Sequence, residues 1–157
     1  MSTSFQIHAL PLEQVKSLFT LTDQELIAKD ARRLTVDAKP GNPCRVSLCD
    51  AEIGEKAILF PYTHHDVDSP YQAAGPIIVR ENATTAQPKV NEIPEMLLIR
   101  LLSVRAYDAD GMLLGAEVVD GKVLEQQIHQ YFSEENIKYI HVHNAKQGCF
   151  NCWVERA

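Results

Sequence analysis

The sequence predicts an α+β fold: a mostly antiparallel or mixed sheet, a helical N-terminal segment and one amphipathic helix near residues 121–133. Three observations carry this reading. Short apolar stretches bounded by Gly, Pro, Asn and Asp recur from residue 31 onward, the punctuation expected of strands. Two of them flank Asp108-Ala109-Asp110-Gly111, where Asp-Gly supplies the positive φ that a tight hairpin needs. One late segment, DGKVLEQQIHQYF, changes to helical period, with Val123, Leu124, Ile128, Tyr131 and Phe132 on one stripe and Asp120 or Gly121 near its cap. A run of strands with one clear helix, rather than alternating βαβ units, separates α+β from α/β.

Taken in order, PLEQVKSLF (11–19) carries Leu12, Val15, Leu18 and Phe19 at helical spacing, with Pro11 at a tolerated first-turn position. TDQELIAKD follows as a second short helix. Thr22 is its N-cap, and Glu25 completes a capping box. ARRLTVDA (31–38) and CRVSL (44–48) are strands on either side of KPGNP, and KAILFPY (56–62) is apolar enough for a central strand. THHDVDSPYQAA is then a polar loop and GPIIVRE (75–81) a strand. Residues 82–94 form an exposed loop. PEMLLIRLL (94–102) fits helix or strand equally well, because an apolar run of that length does not decide itself. KYIHVHN and CFNCWVER are the last two strands.

A chain of 157 residues, 45% hydrophobic and 23% charged, can bury a core without metal or disulfide staples. Residues 1–157 are therefore read as a single domain, with the helical segment 11–30 packed on it. A net charge of -6 opposes nonspecific binding to nucleic acid or to an anionic membrane, which needs a large positive field. No apolar run approaches the length of a bilayer span, and MSTSFQIHALPLEQ lacks the basic, apolar and small-residue segments of a signal peptide. The expectation is a cytoplasmic protein with no nucleic-acid or membrane partner, and a homo-oligomer stays open. In a reducing compartment Cys44, Cys49, Cys149 and Cys152 are thiols or ligands before they are disulfides.

Strand alternation suggests where a site lies. In KYIHVHN, Tyr139, His141 and His143 share the face opposite Ile140 and Val142. In SVRAY, Ser103, Arg105 and Tyr107 lie opposite Val104 and Ala106. In CRVSL, Arg45 and Ser47 lie opposite Cys44, Val46 and Leu48. If these strands are neighbours, Arg45, Arg105, Tyr107, His141 and His143 make a cationic, hydrogen-bonding surface suited to carboxylate or phosphate, with Asn144 at its edge. The plain alternative is the polar outer face of any half-buried sheet.

Four blocks, PCRVSL, PYTHHDVDSPYQAAGPIIVRE, RAYDADG and YIHVHNAKQGCF, together resemble the uncharacterised bacterial family catalogued as domain of unknown function 1203. The resemblance implies that Cys44, Arg45, Pro70, Tyr71, Gly75, Pro76, Arg80, Arg105, Tyr107, Asp108, His141, His143, Asn144, Gly148 and Cys149 stand at motif positions. Cys49 and Cys152 fall outside that pattern, which separates the two cysteines of CFNC. The family brings no established activity, so the chemistry rests on the residues.

Three chemistries compete. A small anionic ligand would be held by Arg45, Arg105, Tyr107, His141, His143 and Asn144. Alternatively Cys149 is a nucleophile with His141 or His143 as base, against the plain reading of a small inert cysteine. The third is a non-catalytic interaction or scaffold module. Metal is weighed at His141-x-His143, Cys149-x-x-Cys152 and Thr63-His64-His65-Asp66. One CxxC without a second is weak and a polar loop is commonly just solvated, so no metal site is assigned. Asp108 is read as a turn residue whose side chain caps the turn's amides, and Arg80 as a solvated strand-end charge. Neither GxGxxG, GxxxxGK[ST], a serine elbow nor HExxH occurs, so common nucleotide and hydrolase classes are disfavoured and no cofactor is assigned.

Overall fold

The computed structural model describes residues 3–157. The chain begins with β1 (Phe5–His8), a four-residue strand too short to announce itself by alternation. Two 3₁₀ turns, Leu12–Gln14 and Lys16–Thr20, replace the single helix expected over 11–19. The capping box at α1 (Asp23–Ala28) forms as read: Glu25 N donates to Thr22 Oγ1 at 3.2 Å, and Thr22 N donates to Glu25 Oε1 at 3.0 Å.

β2 (Arg32–Thr35) follows, then a two-residue ribbon of β3 (Pro43–Cys44) and β4 (Cys49–Asp50). Here the structure corrects the sequence reading. Residues 45–48 are a turn, closed by Leu48 N donating to Cys44 O at 2.9 Å, with Leu48 at φ 51°. Alternation therefore says nothing about Arg45, whose side chain is buried at 3% exposure.

β5 (Lys56–His65) is the middle strand of a three-stranded antiparallel sheet, β2-β5-β6, with β6 spanning Ala73–Arg80. The ambiguous run 94–102 proves to be both alternatives: a short helix α2 (Glu95–Leu98), then β7 (Leu101–Tyr107). β7 and β8 (Leu113–Asp120) form the expected hairpin, and Asp108 Oδ1 accepts from the amides of Asp110 and Met112 at 2.8 and 2.9 Å. A 3₁₀ turn at Gly121–Val123 leads into α3 (Leu124–Phe132). A Cβ on Gly121 would stand 1.9 Å from Leu97 O, so only glycine fits where this turn crosses α2. Leu124, Ile128 and Phe132 are buried as expected, whereas Val123 is 44% exposed because it sits in the turn, out of phase with the helix.

β9 (Tyr139–Asn144) and β10 (Phe150–Arg156) complete a five-stranded antiparallel sheet ordered β1-β10-β9-β7-β8. α3 covers one face of it over Leu102, Val104, Ala106, Ile140, Val142, Cys152 and Val154. A second apolar cluster joins the three-stranded sheet, through Ile58, Phe60, Ile77 and Val79, to α1, the β3–β4 ribbon and Phe150. The architecture is α+β with antiparallel sheets, as read. No helix among the described residues is long and apolar enough to cross a membrane.

Candidate functional site

The second face of the five-stranded sheet carries the polar parity read from the sequence. Arg105 pairs across β7–β9 with His141, Ser103 with His143, and Tyr107 with Tyr139. This face is not a solvated outer surface: His143 is 0% and His141 6% exposed. The end of β5 covers it. A β-bulge sets Thr63 and His64 opposite the single residue Ala74, since Tyr62 pairs with Gly75 and His65 with Ala73. Such a bulge adds one residue and re-aims the side chains that follow. Both His64 and His65 consequently reach His141, at ring-centroid distances of 6.2 and 5.0 Å. The sequence reading placed 63–65 in a loop; they are strand, and the bulge is what let them pass for one.

The contacts divide the layer in two. His65 Nδ1 bonds Tyr71 O at 2.7 Å and its Nε2 bonds the Tyr139 hydroxyl at 2.5 Å, while its ring lies 4.2 Å from that of Tyr107. Tyr107 and Tyr139 stack at 5.2 Å. On the other side His64 lies 4.9 Å from His143 and stacks on Phe150 at 5.4 Å and 13°. His143 Nδ1 donates to Gly148 O at 2.9 Å. His64 Nδ1, His141 Nδ1 and His143 Nε2 are buried with no hydrogen-bond partner among the described residues.

Burial, helped by the Arg105 charge and by neighbouring imidazoles, holds these rings neutral. The pKa of His64 falls to about 4, that of His143 to about 3 and that of His141 to about 2. Burial likewise pushes Tyr139 up to about 12 and raises Tyr107. At neutral pH His64, His141 and His143 are therefore neutral, and Tyr107 and Tyr139 keep their protons. No three His, Cys, Asp or Glu side chains among the described residues are arranged to hold a metal ion.

Arg45 lies on the far side of Phe150. Its Nε donates to Phe150 O at 2.8 Å and Nη1 to Pro43 O at 2.6 Å. No carboxylate pairs with it among the described residues, although its side chain is almost wholly buried. Burial lowers its pKa to about 10, against the pull of the Cys149 thiol and with a further push from Arg100, so the guanidinium keeps its proton at neutral pH. Arg100 is held differently. Asp50 takes it in a two-pronged pair, Nη1 to Oδ2 at 2.9 Å and Nη2 to Oδ1 at 2.5 Å, and that charge is compensated. Both arginines line an open cleft of about 300 Å³, together with Asn144, Gln147, Cys149 and an apolar wall that includes Pro76 and Ile99.

Arg45, Asn144 and Cys149 thus share the cleft, while Arg105, Tyr107, His141 and His143 share the buried layer. Phe150 separates them, its ring on the histidines and its carbonyl on Arg45. Alternation explains the split on β9, since consecutive His143 and Asn144 point to opposite faces. Asn144 is fixed by Asn151, the extra residue of a bulge in β10, whose Nδ2 donates to Asn144 Oδ1 at 2.7 Å. No imidazole hydrogen-bonds the Cys149 thiol among the described residues, and Cys152 is buried at 0% in the core under α3. Sequence reasoning missed Arg100, Gln147 and Phe150. No spacing marks them, because they arrive from a strand junction, a hairpin tip and a strand start.

The model of a protein family described as a protein of unknown function (DUF1203) matches residues 41–156, and the chain belongs to that family. The match spans β3 to β10 and includes every cleft and layer residue named above. No curated protein and no solved structure matches the chain.

Proposed function

We propose that the cleft around Arg45 binds a small anionic molecule through a carboxylate or phosphate group. One observation carries the reading: a nearly buried guanidinium that lacks a carboxylate partner among the described residues lines an open cleft. Taking an ion out of water costs several kcal/mol, and proteins normally offset this with an opposite charge. Two carbonyls partly solvate Arg45, but they do not neutralise it; a bound anion would. Arg100 adds a second, already compensated guanidinium, and Asn144 and Gln147 add amides. A cleft of about 300 Å³ sits at the small end of ligand sites, which favours a compact ligand over a nucleotide. The buried imidazole–tyrosine layer serves as the rigid wall on which Phe150, and through it Arg45, is seated.

Thermal unfolding in malonate, inorganic phosphate and chloride at matched ionic strength tests this. A ligand that prefers the native state raises its stability, by about 2.7 kcal/mol at a hundredfold excess over Kd. Malonate or phosphate should raise the melting temperature above the chloride control. The rise should vanish in Arg45→Met and shrink in Gln147→Glu, a change on an exposed residue at the cleft that does not disturb the core. Equal melting temperatures in all three salts would remove the reading.

A further inference from the structure

We infer that Cys44 and Cys49 form a reversible dithiol–disulfide site, oxidised by small disulfides such as oxidised glutathione. Both are free thiols, and they are direct Cα partners across the β3–β4 ribbon. The turn between them holds that register, with Leu48 N donating to Cys44 O at 2.9 Å. Directly opposed residues of an antiparallel pair have Cα atoms about 4.5–5.5 Å apart and side chains on one face. A disulfide needs about 4.4–6.8 Å between Cα atoms, so the ribbon can close the bridge without moving its backbone. Contacts with a single residue place both sulfurs on the same side. Arg80 N donates to Cys44 Sγ at 3.4 Å, and Arg80 Nη1 donates to Cys49 Sγ at 3.1 Å.

The two sulfurs differ in access, which assigns their order of reaction. Cys49 is partly exposed and lines a surface cavity of about 280 Å³ with Leu48, Arg80 and Met96, whereas Cys44 is 0% exposed. The thiolate is the attacking form of a cysteine, and at Cys49 the Arg80 guanidinium already faces the sulfur. Glu55 fixes the rest of that guanidinium, taking Nε at 3.0 Å and Nη2 at 2.7 Å. In the first step the Cys49 thiolate attacks one sulfur of the glutathione disulfide. That S–S bond breaks, a mixed disulfide forms at Cys49, and one glutathione leaves as a thiolate that takes up a proton from water. Cys44 then gives its proton to water and attacks Cys49 Sγ. The mixed disulfide breaks, the Cys44–Cys49 bond closes, and the second glutathione leaves. Two protein thiols are oxidised as one glutathione disulfide is reduced to two thiols. The remaining cysteines are not set for this. Cys149 lines the cleft, while Cys152 is buried under α3, opposite Val142 rather than a thiol.

To test this, the full-length protein is equilibrated with mixtures of oxidised and reduced glutathione at mildly alkaline pH. Free thiols are then blocked, and non-reduced peptides are mapped by mass spectrometry. Trypsin cuts after Arg45, so a Cys44–Cys49 bond leaves two peptides joined. Sequence spacing alone favours the other pair, because Cys149 and Cys152 close a shorter loop. The expected native product is nonetheless Cys44–Cys49, at least about tenfold in excess of Cys149–Cys152, a bias of about 1.4 kcal/mol. In concentrated urea that excess should disappear, and raising the share of reduced glutathione should reopen the native bond. Cys44→Ala should halt the reaction at a glutathione adduct on Cys49, and Cys49→Ser should leave Cys44 unmodified. The inference is overturned by the lack of a joined peptide from the native chain, by no excess over Cys149–Cys152, or by a glutathione adduct on Cys44 in Cys49→Ser.

Discussion

His65 Nε2 and the Tyr139 hydroxyl lie 2.5 Å apart and tie the three-stranded sheet to the five-stranded one. The other nitrogen of His65 is taken by Tyr71 O, so the imidazole is satisfied on both sides although it is 3% exposed. A buried polar atom that loses its partner costs about 1–3 kcal/mol. Tyr139→Phe keeps the ring stacked on Tyr107 but removes that partner, and urea denaturation should show a loss within that range. A loss below about 0.5 kcal/mol would mean that the bond does not join the sheets.

The neutral imidazoles make stability depend on pH. The folded pKa values of His64, His141 and His143 are depressed to about 4, 2 and 3, whereas the unfolded values stay near 6.5. Below pH 6.5 the unfolded chain therefore binds more protons than the native one, and stability falls as pH falls toward 4. Each such proton contributes a slope of up to about 1.4 kcal/mol per pH unit. Urea midpoints at pH 7, 6 and 5 should decline, and His141→Gln should flatten the decline by about one proton's worth. A flat profile between pH 7 and 5 would contradict the burial of this layer.

Gly121 should not tolerate a side chain. The Cβ of Gly121→Ala would meet the Leu97 carbonyl, a backbone atom that cannot rotate away. Overpacking of this kind costs about 1–3 kcal/mol, and calorimetry should show the loss. Gly54→Ala is the contrast: nothing lies within 4 Å of its Cβ, so any cost there reflects its φ of +92° alone.

Arg100, which lines the cleft, forms a partly buried pair with Asp50. Asp50→Ala would leave the guanidinium uncompensated beside Arg45, and breaking a buried pair by removing one partner costs about 3–5 kcal/mol. The exposed edge of Arg100, at 16%, places this change toward the lower end of that range. The same variant places two unpaired cations in the cleft, so malonate should stabilise it more than it stabilises the parent chain.

The fold class, the Asp108 hairpin, the Thr22 capping box and the faces of β7 and β9 were legible because each depends on a local rule of spacing or turn chemistry. Three features were not. The bulge at Thr63–His64 leaves no mark in composition, yet it turns an apparent polar loop into the lid over His141 and His143. Arg45 sits in a four-residue turn that copies the alternation of a strand, so parity assigned it to a face it does not have. Finally, the sheet's polar face is buried rather than solvated, because the partner that covers it comes from about eighty residues earlier in the chain, and no window along the sequence contains both. Spacing and parity singled out Arg45, Arg105, Tyr107, His141, His143, Asn144 and Cys149 but not Arg100, Gln147 or Phe150, and the division between cleft and layer belongs to tertiary structure.

The bond from Arg45 to the Phe150 carbonyl spans 105 positions of sequence. The pocket is therefore assembled from segments far apart in the chain and exists only after they have docked. A fragment that lacks either Arg45 or Phe150 cannot carry it, and occupancy of the pocket would report the docking of both segments rather than the state of either one.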